Sequence, residues 1–214
     1  MATQKKRFTT FFLLGFFILL SAAFMSYYYK VSRETPKSLP YIGEGEHVVR
    51  SFSFTDQNGN TFTDKDVQGK IRVVEYFFTT CKGICPKMNE NMSKVYETYK
   101  GNDKVVILSH TVDPKKDTVA ALKEYSLRFH ADPAQWIFLT GDKKELYDMA
   151  RYSYLVTAVD DTGVVDIQSD FIHTEKFVLV DATGHIRGQY DGTNKGSVNQ
   201  LIGDIQTLIR EEKN

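Results

Sequence analysis

The sequence predicts a three-layer α/β sandwich around a central mixed sheet, preceded by one N-terminal transmembrane helix. Three features support this fold class: an uncharged apolar run near the start of the chain, an alternation of strand and helix patterns after it, and a hairpin pattern near the end. With 214 residues, the chain is long enough for one folded domain and a short additional segment. A second large domain is excluded.

The charge balance and the cysteine count narrow the class of protein. The 27 basic residues equal the 27 acidic residues in number, and the basic residues form no patch of the kind that binds nucleic acid. We therefore expect no nucleic-acid partner. The two cysteines are too few for a disulfide scaffold, so they need another explanation.

The N-terminal apolar run covers residues 8–29, which contain no charged residue and follow Lys5, Lys6 and Arg7. A helix that spans a bilayer needs about 20 apolar residues, so we expect a transmembrane anchor here. By the positive-inside rule, residues 1–7 stay in the cytoplasm and the chain after the anchor is exported.

A cleaved signal peptide is the alternative, because residues 21–23 are small enough for signal peptidase. We favour a retained anchor, since the tyrosines at 27–29 suit the aromatic belt at a membrane interface. Residues 30–46 place Pro and Gly among polar residues and are predicted to be a linker, which leaves 47–214 as the folded domain. The short basic cluster is more typical of a bacterial protein than of a mitochondrial transit peptide. This predicts a single-pass inner-membrane protein with its domain on the periplasmic side.

The domain itself alternates strands and helices. Short runs rich in β-branched and aromatic residues predict the strands, and apolar residues at helical spacing predict the helices. Asn58-Gly59 predicts a hairpin turn, Pro86 the start of a helix and Gly101 its end. The predicted strands are 48–54, 61–63, 71–78, 104–109, 136–139, 177–180 and 185–190, and the predicted helices are 86–100, 118–129, 143–154 and 198–209. A thioredoxin-like arrangement fits this order best.

Both cysteines, Cys81 and Cys85, lie between the strand that ends at Phe78 and the helix that begins at Pro86. In α/β sheets, ligands bind at the carboxyl ends of strands, and a helix N-terminus stabilises negative charge. We therefore expect lowered thiol pKa values, because the thiolate is both the nucleophile and the metal ligand. The C-x-x-x-C spacing lets both sulfurs converge on one atom.

Three interpretations of the cysteine pair are open: inert buried thiols, a structural disulfide, or a functional dithiol. Inert thiols would not explain why both cysteines of the chain fall within five residues. A disulfide across so short a loop removes little chain entropy, so its purpose would be redox chemistry more than stability. Thiolates combined with imidazole suit copper or zinc, although structural zinc sites usually have four protein ligands.

A histidine would complete a copper site, because two sulfurs alone leave Cu(II) under-coordinated. His173 lies in a polar loop ahead of the strand at 177–180, and His110 follows the strand at 104–109. Sequence position favours His173 only modestly over His110. Three further histidines are predicted to be surface residues: His47, His130 and His185. The methionines Met88 and Met92 share helical spacing with apolar positions and are predicted to fill the core.

Four sequence blocks resemble the successive signatures of the Sco/SenC family. They are FFTTCKGICP at 77–86, TVDP at 111–114 with Asp117 and Thr118, DFIHT at 170–174 and YDGT at 190–193. The resemblance extends over about residues 45–212, and it departs at Lys82, where many members have proline. It implies a membrane-tethered, thioredoxin-like copper-binding protein that helps to assemble the binuclear copper centre of cytochrome c oxidase. Cys81, Cys85 and His173 would be the metal ligands.

The resemblance leaves two functions open, because some family members are interpreted as copper chaperones and others as thiol-disulfide reductases. A chaperone would receive Cu(I) or Cu(II) from a copper donor protein and deliver it to the copper-centre subunit of the oxidase. In a thiol-disulfide oxidoreductase, Cys81 and Cys85 would instead be the redox pair that acts on that subunit or another exported protein. A peroxiredoxin-like peroxidase is a minor third interpretation, because the proline that such enzymes place upstream of the cysteine is absent.

Overall fold

The computed structural model describes residues 2–34, 38–156, 172 and 174–212. The chain divides into two compact units, the first ending at Ser38 and the second beginning at Leu39. The first unit contains one helix, α1, over Ala2–Glu34. Within α1, the stretch Phe12–Tyr29 is long and apolar enough to cross a membrane, and none of it is buried.

The second unit is built on a mixed sheet of seven strands. The strands are β1 (Ser53–Asp56), β2 (Thr61–Thr63), β3 (Ile71–Phe77), β4 (Val105–Thr111), β5 (Trp136–Thr140), β6 (Lys176–Val180) and β7 (Ile186–Asp191). Their order in the sheet is β2-β1-β5-β4-β3-β6-β7. Strands β3, β4 and β5 are parallel, whereas β1 and β6 join this group antiparallel. The predicted mixed sheet and its closing hairpin, β6 with β7, are confirmed.

The described part of this unit contains four α-helices, of which the first three lie between strands and the last follows β7. They are α2 (Cys85–Tyr99), α3 (Val119–Leu127), α4 (Lys143–Asp148) and α5 (Lys195–Glu211). Side chains cap three of them as expected at helix starts: Thr118 accepts a hydrogen bond from Ala121 N, Asp142 accepts one from Glu145 N, and Asn194 accepts bonds from Gly196 N and Ser197 N.

The predicted helix over 143–154 is divided into two parts. Helix α4 ends at Asp148, and Met149–Ser153 form a wider π-helical turn. Tyr154 N then donates a hydrogen bond of 2.8 Å to Met149 O, five residues back, and the Tyr154 ring is fully buried. The wider turn therefore accommodates this ring in the core, which the 3.6-residue pattern did not predict.

The sheet separates two hydrophobic cores. Successive residues of β3 point to opposite faces, so Val73 packs against α2, α3 and α5, whereas Val74 packs on the side of α4. Met88 and Met92 are fully buried in the first core, which confirms their prediction as core residues. Helices on both faces of a mixed sheet make the three predicted layers.

The carboxyl ends of β3 and β4 lie side by side, with Phe77 in register with Thr111. Because β6 runs antiparallel to β3, the residues just before β6 come to the same edge of the sheet. Three chain segments therefore meet there: residues 78–84 after β3, here called the thiol loop, residues 112–118 after β4, and the residues that precede Lys176.

The second unit already forms contacts within the predicted linker, at Leu39 and Pro40. The Arg187 side chain is almost fully buried and donates hydrogen bonds to Asp181 at 2.9 Å and Glu211 at 3.1 Å. The same guanidinium donates to Leu39 O at 2.7 Å and to Pro40 O at 3.3 Å. One buried cation therefore holds the first residues of the second unit against its last helix.

Candidate metal and redox site

Cys81 and Cys85 occupy unequal positions at the junction of β3 and α2. Both are free thiols; Cys85 is the first residue of α2 and is buried, whereas Cys81 is half-buried in the thiol loop. Both line one cavity of about 350 Å³, here called the thiol cavity. Its walls also include Phe78, Val112 and Ile172, so its surroundings are largely apolar.

The pKa of the Cys85 thiol is raised, whereas the sequence predicted a lowered value. The main cause is burial in the first hydrophobic core, and the hydrogen bond with Cys81 adds to it. The neighbouring backbone of Phe78 acts in the opposite direction. A helix start stabilises a thiolate only when little desolvation opposes it, and the Cys85 sulfur faces the core.

The first part of the thiol loop, residues 78–81, is held by hydrogen bonds and is here called its root, whereas the residues that follow are exposed. Cys81 N donates a hydrogen bond of 3.2 Å to Phe78 O, and Thr79 bonds to the buried carboxylate of Asp117. Lys82 and Gly83 are exposed, and the space around the Gly83 Cα is open. The backbone N and the hydroxyl of Thr79 therefore order the start of this loop.

A buried carboxylate, Glu75, lies on the same face of the sheet as Cys85. One of its oxygens accepts a hydrogen bond of 2.6 Å from Ser109 Oγ, which itself accepts one of 2.9 Å from Trp136 Nε1. Burial raises the pKa of Glu75 to about 7, and its charge contributes to the raised pKa of Cys85. Sequence reasoning missed this residue, although an acid at an alternate position among Ile71, Val73 and Phe77 was an available signal.

His173 lies outside the described residues, so its predicted role as a ligand stays a prediction. Its neighbours in the chain, Ile172 and Thr174, both line the thiol cavity beside Cys81 and Cys85. Within residues 2–34, 38–156, 172 and 174–212, no group of three His, Cys, Asp or Glu side chains is arranged to hold a metal ion. The described part of the site therefore supplies two sulfur donors.

His110, the alternative to His173, is buried on the opposite face of the sheet from Cys85. Its ring stacks on Tyr76 at 5.1 Å between centroids and contacts the edges of Phe54 and Tyr154. Neither ring nitrogen has a hydrogen-bond partner in the described chain, and burial lowers the pKa of His110 to about 3. The ring is therefore part of the second core and does not reach the thiols.

The remaining histidines lie at or near the surface, as predicted. His47 Nε2 is 2.8 Å from Ser153 O, and His185 Nδ1 is 2.7 Å from Thr183 Oγ1. His130 is exposed. None of the three lines the thiol cavity.

A mixed sheet between helical layers, with a C-x-x-x-C dithiol where a strand meets a helix, defines a thioredoxin-like dithiol protein. The SCO1/SenC family model matches residues 42–210. The chain therefore belongs to the SCO1/SenC family.

Three related proteins illustrate the similarity. The SCO1 protein homolog of Bacillus subtilis (strain 168) is 27% identical over 75% of this chain and 82% of its own length. BsSco, a member of the Sco family of cytochrome c oxidase assembly proteins with a disulfide switch, has a solved structure that is similar at a TM-score of 0.63. Its sequence is 27% identical, and the match covers 76% of this chain and 93% of that one. The copper-bound structure of Bradyrhizobium japonicum ScoI matches at a TM-score of 0.59 with 29% identity, over 75% of this chain and 99% of that one.

Proposed function

We propose that this protein is a membrane-tethered copper metallochaperone for the binuclear copper centre of cytochrome c oxidase. Cys81 and Cys85 provide two thiolates, and His173 provides an imidazole. The observation that carries the proposal is that both thiols share one cavity with the residues on either side of position 173. The similarity to copper-bound ScoI and to the oxidase assembly protein BsSco supports the same metal and pathway.

The donor atoms fit copper as cargo. Two soft sulfurs and one imidazole suit Cu(I) and also accept Cu(II), whereas a structural zinc site usually has four protein ligands. The apolar walls of the thiol cavity limit water around the ion. Because copper binds to thiolates, binding releases protons and fails once the two thiols are oxidised to a disulfide.

The unequal exposure of the two cysteines suggests an order of transfer. A thiolate of the docked oxidase subunit adds to copper from the solvent side, and the half-buried Cys81 is the first ligand to leave and take up a proton. Cys85, fixed in α2, holds the ion until the second ligand exchange. No covalent bond of the partner breaks in this sequence.

Helix α1 supports the proposed tether and location. Its apolar stretch would anchor the protein in the bacterial inner membrane as a single-pass protein, with residues 1–7 in the cytoplasm and the domain in the periplasm. There, the domain would take copper from a donor protein and meet the oxidase subunit at the same membrane.

A copper titration of the full-length chain in detergent tests the proposal. Cu(I), supplied from a chromophoric chelator, is expected to bind one ion per chain to the wild type and none to a Cys81→Ala, Cys85→Ala variant. His173→Ala should weaken Cu(II) binding, whereas the matched control His130→Ala, at an exposed position, should bind as the wild type. Unchanged uptake by the double cysteine variant would remove the site.

A thiol-disulfide reductase is the second candidate, favoured by the same difference in exposure. The Cys81 thiolate attacks one sulfur of a substrate disulfide, which releases one substrate thiolate and forms a mixed disulfide. The Cys85 thiolate then attacks the Cys81 sulfur, which releases the second substrate thiol and leaves the pair oxidised. The disulfide switch of BsSco supports this chemistry.

The two candidates are distinguished by His173→Ala in cells. If copper binding is lost while cytochrome c oxidase activity stays normal, the reductase is supported. If oxidase activity falls together with copper binding, and added copper restores it, the chaperone is supported.

A further inference from the structure

Asp117 is a fully buried carboxylate in the loop after β4. Thr79 reaches it twice: its backbone N lies 3.2 Å from each carboxylate oxygen, and its hydroxyl donates a hydrogen bond of 2.5 Å to Oδ1. Thr111 Oγ1 donates the remaining hydrogen bond, to Oδ2 at 2.5 Å. One carboxylate therefore joins the root of the thiol loop to the end of the neighbouring strand.

Burying a carboxylate is costly unless hydrogen bonds replace the lost water. Here, both oxygens are satisfied by donors from two threonines, and bonds to an ionised acceptor are stronger than those between neutral groups. The loop that carries Asp117 is itself fixed, since Asp117 N donates a hydrogen bond of 2.9 Å to Asp113 O. The carboxylate is therefore a rigid point of attachment.

The position of this attachment matters for Cys81. Thr79 is two residues before Cys81, whereas the exposed residues 82–84 follow it. Cys85 is fixed independently, because it is buried at the start of α2. The separation of the two sulfurs therefore depends on where the root of the thiol loop is held.

We infer that Asp117 is a positioning residue for Cys81: by holding Thr79, it sets the distance of the Cys81 thiol from Cys85. This inference deepens the proposed function and rests on it for the metal, but the dithiol geometry applies equally without copper. To form a disulfide, the two sulfurs must lie about 2.05 Å from each other. To bind one metal ion, each sulfur must lie about 2.3 Å from it, the distance known for zinc. A loosely held Cys81 makes both arrangements less favourable.

The test compares four variants of the full-length chain in detergent. Thr79→Val removes the hydroxyl with little change of shape, and Thr79→Ser keeps it. Asp117→Asn removes the charge and one acceptor. The matched control is Asp113→Asn in the same loop, whose carboxylate lies 3.2 Å from Lys116 Nζ and does not touch the thiol loop.

Two equilibrium constants are measured for each variant. One is the Cu(I) affinity against a chromophoric chelator. The other is the constant for the reaction in which the dithiol and oxidised glutathione give the intramolecular disulfide and two reduced glutathiones. Thr79→Val and Asp117→Asn should lower both constants about tenfold, the loss typical of supporting residues around a metal site. Thr79→Ser and Asp113→Asn should stay within twofold of the wild type.

Other outcomes decide against the inference or against the function. If folded Thr79→Val keeps both constants within twofold, or if Asp113→Asn shifts them equally, Asp117 does not position Cys81. If Asp117→Asn fails to fold, Thr79→Val and Thr79→Ser decide alone. If the wild type binds no copper, the metallochaperone proposal fails, and the glutathione constant still decides the positioning role.

Discussion

The Ser109 hydroxyl donates a hydrogen bond of 2.6 Å to one oxygen of Glu75, while the other Glu75 oxygen has no hydrogen-bond partner in the described chain. Ionising this half-satisfied carboxylate inside the core is unfavourable, and burial raises its pKa from 4.5 to about 7. Folding therefore takes up a proton at Glu75 between these two pH values.

We predict that Glu75→Gln reduces the loss of unfolding free energy that the wild type shows as pH rises from about 4.5 to 7. The contribution of Glu75 is fully present below about pH 4.5 and is lost as pH rises to about 7, at a cost of about 3 kcal/mol. The neutral amide lacks this loss, so the variant should be the more stable protein at pH 8. Urea unfolding at pH 4 and pH 8 measures the free energy of unfolding of the wild type and of the variant. The exposed Glu97→Gln variant is the control. Equal losses in wild type and variant would contradict the prediction.

His110→Phe should remove a pH dependence of the opposite sign, in which the free energy of unfolding falls on acidification. The folded pKa of His110 is about 3 against 6.5 for the free side chain, so its stabilising contribution is present above pH 6.5 and is lost on acidification toward pH 3. The loss is about 5 kcal/mol at its limit. Phenylalanine suits the aromatic surroundings, so the variant should resist acid better, as measured by thermal unfolding from pH 3 to pH 7. The exposed His130→Asn should behave as the wild type.

The two buried methionines should be dispensable for copper. Met88 and Met92 are fully buried in the first core, away from the walls of the thiol cavity. Replacing both by leucine conserves volume and should cost less than about 1.5 kcal/mol each. Copper stoichiometry by elemental analysis should stay at the wild-type value. A fall in stoichiometry in the folded double variant would identify a thioether as a ligand.

Arg187→Met should release the start of the domain. Removing the guanidinium leaves Asp181 and Glu211 without their buried cation and Leu39 O without its donor. We expect a loss of about 3–5 kcal/mol in the free energy of unfolding. Cleavage by a nonspecific protease near residues 39–46 should become faster than in the wild type. Arg128→Met breaks an exposed pair with Glu124 and the contact of its guanidinium with the Tyr125 ring, and it should cost at most about 1 kcal/mol and leave the cleavage rate unchanged.

Local sequence patterns predicted most of the fold because its strands and helices are regular and amphipathic. The run that became β3 and the proline near the start of α2 are local signals. The ends of these two elements were predicted to within one or two residues. The π-helical turn at Met149–Ser153 was missed because it depends on where the core accepts Tyr154. That requirement comes from packing between distant segments, which periodicity does not report.

At the site, the sequence located the two cysteines but not the electrostatics around them. The direction of the Cys85 pKa depends on how deeply its sulfur is buried, and the spacing of the cysteines contains no information on depth. The contact between Thr79 and Asp117 joins residues 38 positions apart. Both residues belong to the signature blocks recognised in the sequence, yet only the register of β3 with β4 brings them together.

The two outer strands of the sheet, β2 and β7, affect how readily one copy of this domain pairs with another. Strand β2 is only three residues long. Ile42 forms a bridge with Ile186, the first residue of β7, and Val49 N donates a hydrogen bond to Gly184 O just before that strand. Long bare strand edges recruit strands of neighbouring molecules and lead to aggregation. The segment that follows the Arg187 contacts thus also covers the start of the outer edge of β7 and shortens the length open to a strand of another copy.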